Sequence, residues 1–144
     1  MNSDDRFEPG DFLPYLLNRA AEESSLGFQR HYRERYGMLR TEWRVLFHLG
    51  RYGELTAREI CDRGRMHKTK VSRAVAALER KRYVERHSCP EDRRREPLGL
   101  SRLGSRVYEA LSIEAKRYDA ELAARLSTGD MKVLRRCLNC LIEP

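Results

Sequence analysis

The stretch HKTKVSRAVAALERK, His67 to Lys81, decides how the chain is read. Its apolar residues Val71, Ala74, Val75 and Leu78 stand at the i, i+3, i+4, i+7 spacing of one helix face, while Lys68, Thr69, Ser72, Arg73, Ala76 and Arg80 fall on the other. One face suits packing and the other suits a ligand. Fifteen residues make a rod of roughly 22 Å, with a width that fits the major groove of B-DNA. The exposed side carries cations and hydroxyls, and its first acid is Glu79. These features predict a DNA recognition helix.

The segments on either side support that reading. Thr56-Ala-Arg-Glu59 has the pattern of a capping box, in which the threonine hydroxyl accepts the amide three residues on and the glutamate reaches back. A short helix is therefore predicted from Thr56 to about Asp62, followed by the glycine-containing turn Arg63-Gly64-Arg65-Met66. Short helix, tight turn and longer polar-faced helix make a helix-turn-helix. After Lys81 the pattern becomes extended: Tyr83 to Ser88 reads as one strand, and Leu98 and Leu100 mark another. Cys89 to Arg95, between them, holds a proline and five charged residues, so a hairpin with a cationic tip is expected.

Further out, Leu13, Leu16, Leu17, Ala20, Ala21, Ser24 and Phe28 follow a helical period from Asp11 to near Gly37, with Pro14 tolerated in the first turn. Thr41 to Leu49 reads as a mostly buried second helix with Trp43, Leu46 and Phe47, broken by Gly50 and Gly53. Ser101 can cap a helix in which Val107, Leu111, Ala115, Tyr118, Leu122 and Leu126 recur. Ser127 with Asp130 starts a last helix carrying Met131, Leu134, Leu138, Leu141 and Ile142. The expected fold is mainly α with a small β-hairpin wing. Residues 1–10 form a flexible tail, 11–38 a dimerisation helix, 39–100 a winged helix-turn-helix unit and 101–144 C-terminal dimerisation helices. Such long end helices have too little of a 144-residue chain to pack on. A second copy would cover them and supply the two-fold symmetry of a palindromic operator.

Charge is distributed accordingly. Arg51 to Arg106 holds 16 Lys and Arg against 8 Asp and Glu, whereas the rest of the chain holds 13 against 14. The net charge of +7 thus belongs to the middle of the chain, as a polyanion-binding surface requires. A winged-helix module that binds an acidic protein is an alternative. No apolar run approaches the roughly 18 residues of a membrane span. Met1 to Gly10 contains Asp4, Asp5 and Glu8 without an apolar core, unlike a secretory signal or transit peptide, so a cytoplasmic location is expected. A glycine-rich phosphate loop, a nucleophile elbow and a convergent acid pair are all missing, which argues against an enzyme. His31, His48, His67 and His87 are too dispersed for a metal set, and neither metal nor cofactor is expected.

Cys61, Cys89, Cys137 and Cys140 do not read as a disulfide framework in a reducing compartment. Cys61 reads as a small buried residue. Cys137-Leu-Asn-Cys140 has C-x-x-C spacing but no second ligand pair, and its apolar companions favour a core or dimer-interface role. A thiol-based redox-sensing regulator acting through Cys89, Cys137 or Cys140 is a further alternative.

From about Leu13 to Leu141 the sequence resembles the MarR family of winged helix-turn-helix repressors. The marks are Trp43-Arg-Val-Leu46, Leu55-Thr56, Val71-Ser72-Arg73 and Leu78-Glu79. The most specific is Asp92-Arg93-Arg94 followed by Leu98-x-Leu100-Ser101-x-x-Gly104. The resemblance implies a homodimer on double-stranded DNA, with each recognition helix in a major groove and each wing at the adjacent minor groove. It makes Arg94 the arginine that enters the minor groove, beside Arg93, and Asp92 the acid that orients it. A narrow A·T-rich minor groove favours an inserted guanidinium. Ser72 and Arg73 match positions at the DNA face, and Lys68, Thr69 and Lys70 lie at the helix N-terminus, toward phosphate and bases. His67 stands where the family often has aspartate or serine, and can bind a phosphate if protonated. Leu39 replaces the usual threonine before the second helix, and Pro97, without an amide to donate, falls in the returning strand. The resemblance also implies a small effector, often an aromatic acid, with Tyr15, Phe28, His31, Trp43 and Phe47 as candidate lining residues. Oxidant-sensing members rely on a cysteine near the start of the first helix, and Met1 to Gly37 contains none.

Overall fold

The computed structural model describes residues 6–92 and 94–143. In chain order the elements are α1 (Leu13–Tyr36), α2 (Arg40–Tyr52), α3 (Ala57–Gly64), α4 (Lys68–Arg80), β1 (Val84–Arg86), β2 (Leu98–Leu100), α5 (Arg102–Ala123) and α6 (Thr128–Ile142). A 3-10 turn, Pro9–Asp11, precedes α1, and the rings of Phe7 and Phe12 meet edge to face beside it at 5.2 Å. Among the described residues no helix is long and apolar enough to cross a membrane. The chain forms two compact units, one of His31–Arg117 and the other of the residues before and after it. The divisions fall within α1 and α5, so the last turn of α1 and the first turns of α5 belong with the helix-turn-helix.

The unit His31–Arg117 holds most of the core. Tyr32, Met38, Val45, Leu46, Ile60, Val71, Val75, Leu78, Leu98 and Leu111 are each almost wholly buried. Thr56 caps α3 by accepting from the Glu59 amide at 3.2 Å. The Glu59 carboxylate, predicted to reach back along the helix, instead accepts from Arg95 of the hairpin at 3.2 Å. At the start of α2, Leu39 has no hydroxyl to offer. There the nearly buried Glu42 accepts from the Leu39 amide at 2.6 Å and faces Lys81 Nζ at 3.8 Å, tying α2 to the end of α4.

Two glycine expectations separate here. Gly53 does end α2, with φ 79°, but Gly50 lies inside the helix against the Tyr108 ring, where a Cβ would collide. An isolated glycine costs a helix only about 1 kcal/mol, and the close approach of Tyr108 accounts for its presence. The hairpin is shorter than its sequence suggested, pairing Val84 with Leu100, Glu85 with Gly99 and Arg86 with Leu98. Leu55 adds an antiparallel bridge to Leu98. Pro97 sits just outside β2 and uses its carbonyl, which accepts from the His87 amide at 2.8 Å, so no ladder donor is lost.

The junction from α4 through the hairpin to α5 is tightly fixed. Ser101 Oγ accepts from the Gly104 amide at 2.9 Å, capping α5, and donates to the Arg82 carbonyl at 2.6 Å. Arg82 itself has φ 64°, a left-handed conformation that costs a non-glycine residue about 1 kcal/mol.

In the other unit, Phe28 is buried and its ring lies 5.6 Å from that of Tyr118, whose hydroxyl donates to the Ser24 carbonyl at 2.6 Å. Arg135 of α6 pairs with Asp119 of α5 at 3.0 Å, and Ser127 caps α6 by accepting from the Asp130 amide at 3.1 Å. Leu126, expected on the fifth helix, lies in the turn beyond its end at Ala123. Leu16, Leu26, Val133, Leu134, Leu141 and Ile142 are large apolar residues left exposed. Cys137 and Cys140 are exposed on α6, so neither belongs to this chain's own core, and Cys61 and Cys89 are half-buried; all four are unpaired thiols.

Candidate nucleic-acid interface

The two faces of α4 fall where the periodicity placed them. Val71, Ala74, Val75 and Leu78 are at most 2% exposed, while Lys68, Thr69, Lys70, Ser72 and Arg73 are exposed. At the helix start, His67 Nδ1 accepts from the Thr69 amide at 3.2 Å. The imidazole thus does the capping that aspartate or serine would do. Accepting requires an unprotonated Nδ1, so a protonated ring that held phosphate through this atom would give up the cap. His67→Ala is expected to lower stability by about 0.5–1 kcal/mol and the melting temperature by a few degrees, read in a thermal melt.

The turn before α4 is braced from α2. Arg65 adopts φ 50° and ends α3, and Arg44 donates to the Gly64 carbonyl at 2.6 Å. Burial, and after it the charge of Arg40, pushes the Arg44 guanidinium below its ordinary value. His48 Nδ1 lies 2.6 Å from the Arg44 carbonyl and extends the brace. Sequence reading did not single out Arg44 for this role, because the carbonyl it serves is 20 positions away.

A groove of about 640 Å³ follows the flank of α4, with Lys70, Arg73, Arg80 and Lys81 on one side and Leu39 and Thr41 at the start of α2 on the other. Arg80 was not among the predicted site residues. Its signal was present, since it stands seven residues after Arg73 and so on the same helix face.

In the hairpin tip, Asp92 Oδ1 accepts from the Arg94 amide at 3.0 Å, and the Asp92 carbonyl accepts from the Arg95 amide at 3.1 Å. Arg93 lies outside the described residues. The acids of the unit pick out particular cations. Arg95 pairs with Glu59 at 3.2 Å, and Arg86 pairs with Glu79 at 3.0 Å and Glu96 at 3.4 Å. His87 pairs with Glu54 and stands 3.7 Å from Glu85. Lys68, Lys70, Arg73, Arg80 and Arg94 are exposed and have no ion-pair partner among the described residues. α4 and the hairpin tip therefore carry positive charge that no acid among the described residues compensates.

The predicted effector residues divide between the units. His31, Trp43 and Phe47 belong to the helix-turn-helix unit: His31 Nδ1 is 3.7 Å from Glu114, Trp43 stacks on the buried Tyr32 at 6.2 Å, and Phe47 lies 5.8 Å from Trp43. Tyr32 was missed, though it stands four residues after Phe28. Tyr15 and Phe28 belong to the other unit, where Tyr15 is exposed and its hydroxyl accepts from Arg19 at 3.3 Å.

The sequence pattern of the MarR family matches residues 36–95, from the end of α1 into the hairpin tip. The chain is 24% identical over 110 residues to the uncharacterized HTH-type transcriptional regulator YwoH of Bacillus subtilis strain 168, covering 76% of this chain and 80% of that protein. It is 26% identical to a MarR/EmrR family transcriptional regulator from Acinetobacter sp. ADP1 of known structure, with a TM-score of 0.85, covering 94% of this chain and 95% of that one. Residues 36–95 carry the MarR-family pattern, and over most of its length the chain is similar to a transcriptional regulator of that family. The same fold is found at 16% identity in BpsR of Bordetella bronchiseptica, with a TM-score of 0.85 and coverage of 96% and 99% of the two chains. That structure addresses regulation of BpsR DNA binding by 6-hydroxynicotinic acid. The matched span holds α2, α3, α4, β1 and the hairpin tip as far as Arg95. Ser101 and Gly104, which fix the wing's return, lie just beyond it.

Proposed function

We propose that this chain is a member of the MarR family and a cytoplasmic, homodimeric repressor that binds a pseudo-palindromic operator and leaves it when a small effector binds. The observation that carries the reading is the set of exposed cations on α4 and at the wing tip that have no ion-pair partner among the described residues. In this reading α4 enters the major groove, where Ser72 and Arg73 meet base edges. His67, Lys68, Thr69 and Lys70 meet phosphate and the first bases, and Arg80 continues the phosphate contacts along the flanking groove. Arg94 enters the minor groove with Asp92 holding its backbone and Arg93 beside it. Release of counterions from the phosphates supplies the non-specific part of the affinity.

Exposed apolar residues on the end helices, Leu16, Leu26, Leu134, Leu141 and Ile142 among them, support pairing with a second copy through residues 11–38 and 101–144. The regulation of BpsR DNA binding by an aromatic acid supports an effector of that class. Of the residues expected to line its site, His31, Trp43 and Phe47 lie within the helix-turn-helix unit and are the ones proposed to meet it there. Effector binding favours a dimer whose recognition helices no longer match grooves about 34 Å apart.

Selection of genomic fragments by the purified protein tests the reading. Enrichment of a pseudo-palindromic site, with affinity falling steeply as salt rises, is the expected result. Failure to enrich any such site would count against it.

A further inference from the structure

We infer that Glu59 is a positioning residue for DNA recognition: by holding Arg95 it fixes the distal wing, and with it the point at which Arg94 is presented. The inference rests on the operator-binding reading above. The hairpin ladder ends at the pair Arg86 and Leu98. Beyond it the His87 amide donates to Pro97, and the remaining backbone bonds, Asp92 to Cys89 and Arg95 to Asp92, are local to the tip. Arg86 with Glu79 and His87 with Glu54 brace only the base. Among the described residues, the Glu59–Arg95 pair is the one hydrogen-bonded ion pair that ties the tip to a helix of the core, across 36 positions of sequence.

The signs of charge sharpen the point. An acid on a surface that meets DNA repels phosphate, so Glu59 as an ordinary surface residue would weaken binding. Held against Arg95, it removes one cation from the free set and aims its neighbour. Glu59 also stands in the first turn of α3, where a negative charge favours the helix. The test must separate these roles.

Glu59→Gln removes the charge, and Glu59→Asp keeps it in the first turn while shortening the reach. Both are expected to weaken operator binding about three- to fivefold, the range an exposed ion pair supplies. Affinity of Glu59→Gln for a non-operator duplex is expected to hold or rise. In an Arg95→Gln background, Glu59→Gln is expected to cause no further loss. A second readout needs no DNA: alkylation of the half-buried Cys89, resolved by peptide mass spectrometry, should accelerate several-fold in both Glu59 variants. Glu59→Gln raising operator and non-operator affinity alike would overturn the inference, as would wild-type behaviour of Glu59→Asp. If the wild type selects no operator, the function proposed above fails, and Cys89 labelling decides the latch alone. Unchanged labelling then overturns it.

Discussion

Gly104→Ala is expected to cost about 3 kcal/mol or more, the upper range for overpacking a closed site, and to lower the melting temperature by about 6–12 °C. A Cβ at this position would fall on the Tyr83 carbonyl, a backbone group that cannot swing aside. That carbonyl is already engaged, accepting from the Ser101 amide at 3.0 Å, and the Tyr83 amide donates to Leu78 at 2.9 Å. The neighbouring Arg82 carbonyl accepts from Ser101 Oγ. Relief would require separating the α4–β1 turn from the first turn of α5, with loss of the cap and of the wing's anchor. Gly129→Ala is the control, since a Cβ there meets nothing nearer than Ser127 Oγ at 4.0 Å. It should leave stability unchanged or raise it slightly. Urea and thermal unfolding of the two variants check both expectations.

Arg94→Ala is expected to weaken operator binding by about 1–3 kcal/mol, roughly 5- to 150-fold, with dimerisation and thermal stability unchanged. The side chain is exposed and makes no ion pair among the described residues, so truncation leaves no intrachain partner unsatisfied. Its backbone amide keeps the bond to Asp92 after substitution. Loss of affinity would therefore report the missing guanidinium and not a rearranged wing. Fluorescence anisotropy with operator DNA, alongside sedimentation of the free protein, separates these quantities. Unaltered operator affinity would remove Arg94 from the interface.

Local patterns in the sequence carried much of this architecture. The spacing of Val71, Ala74, Val75 and Leu78 placed the buried face of α4, and Thr56, Ser101 and Ser127 marked helix starts that their hydroxyls cap. Helical period and capping act within one or two turns, so they are visible in a short window. What escaped the sequence depends on groups brought together by the fold. Glu59 was assigned a local partner because the capping pattern is local, whereas Arg95 arrives only when the hairpin folds back. Gly50 read as a breaker because its reason for being glycine, the Tyr108 ring, comes from α5. Pro97 reads as damaging inside a strand, but β2 begins one residue after it. In the candidate interface the residue types were legible, while the division between free and paired cations was not. That division is set by Glu59, Glu79 and Glu42, each reaching its partner across elements.

A groove-resolved chemical footprint on a selected operator, comparing wild type with Arg94→Ala, tests most directly that α4 reads the major groove and the wing reads the minor groove. The wild type is expected to protect two symmetry-related major-groove segments about one helical turn apart, each with a protected minor groove beside it. Arg94→Ala should keep the major-groove protection and lose the minor-groove flanks. Minor-groove protection that survives the substitution, or protection without two-fold symmetry, would contradict the account.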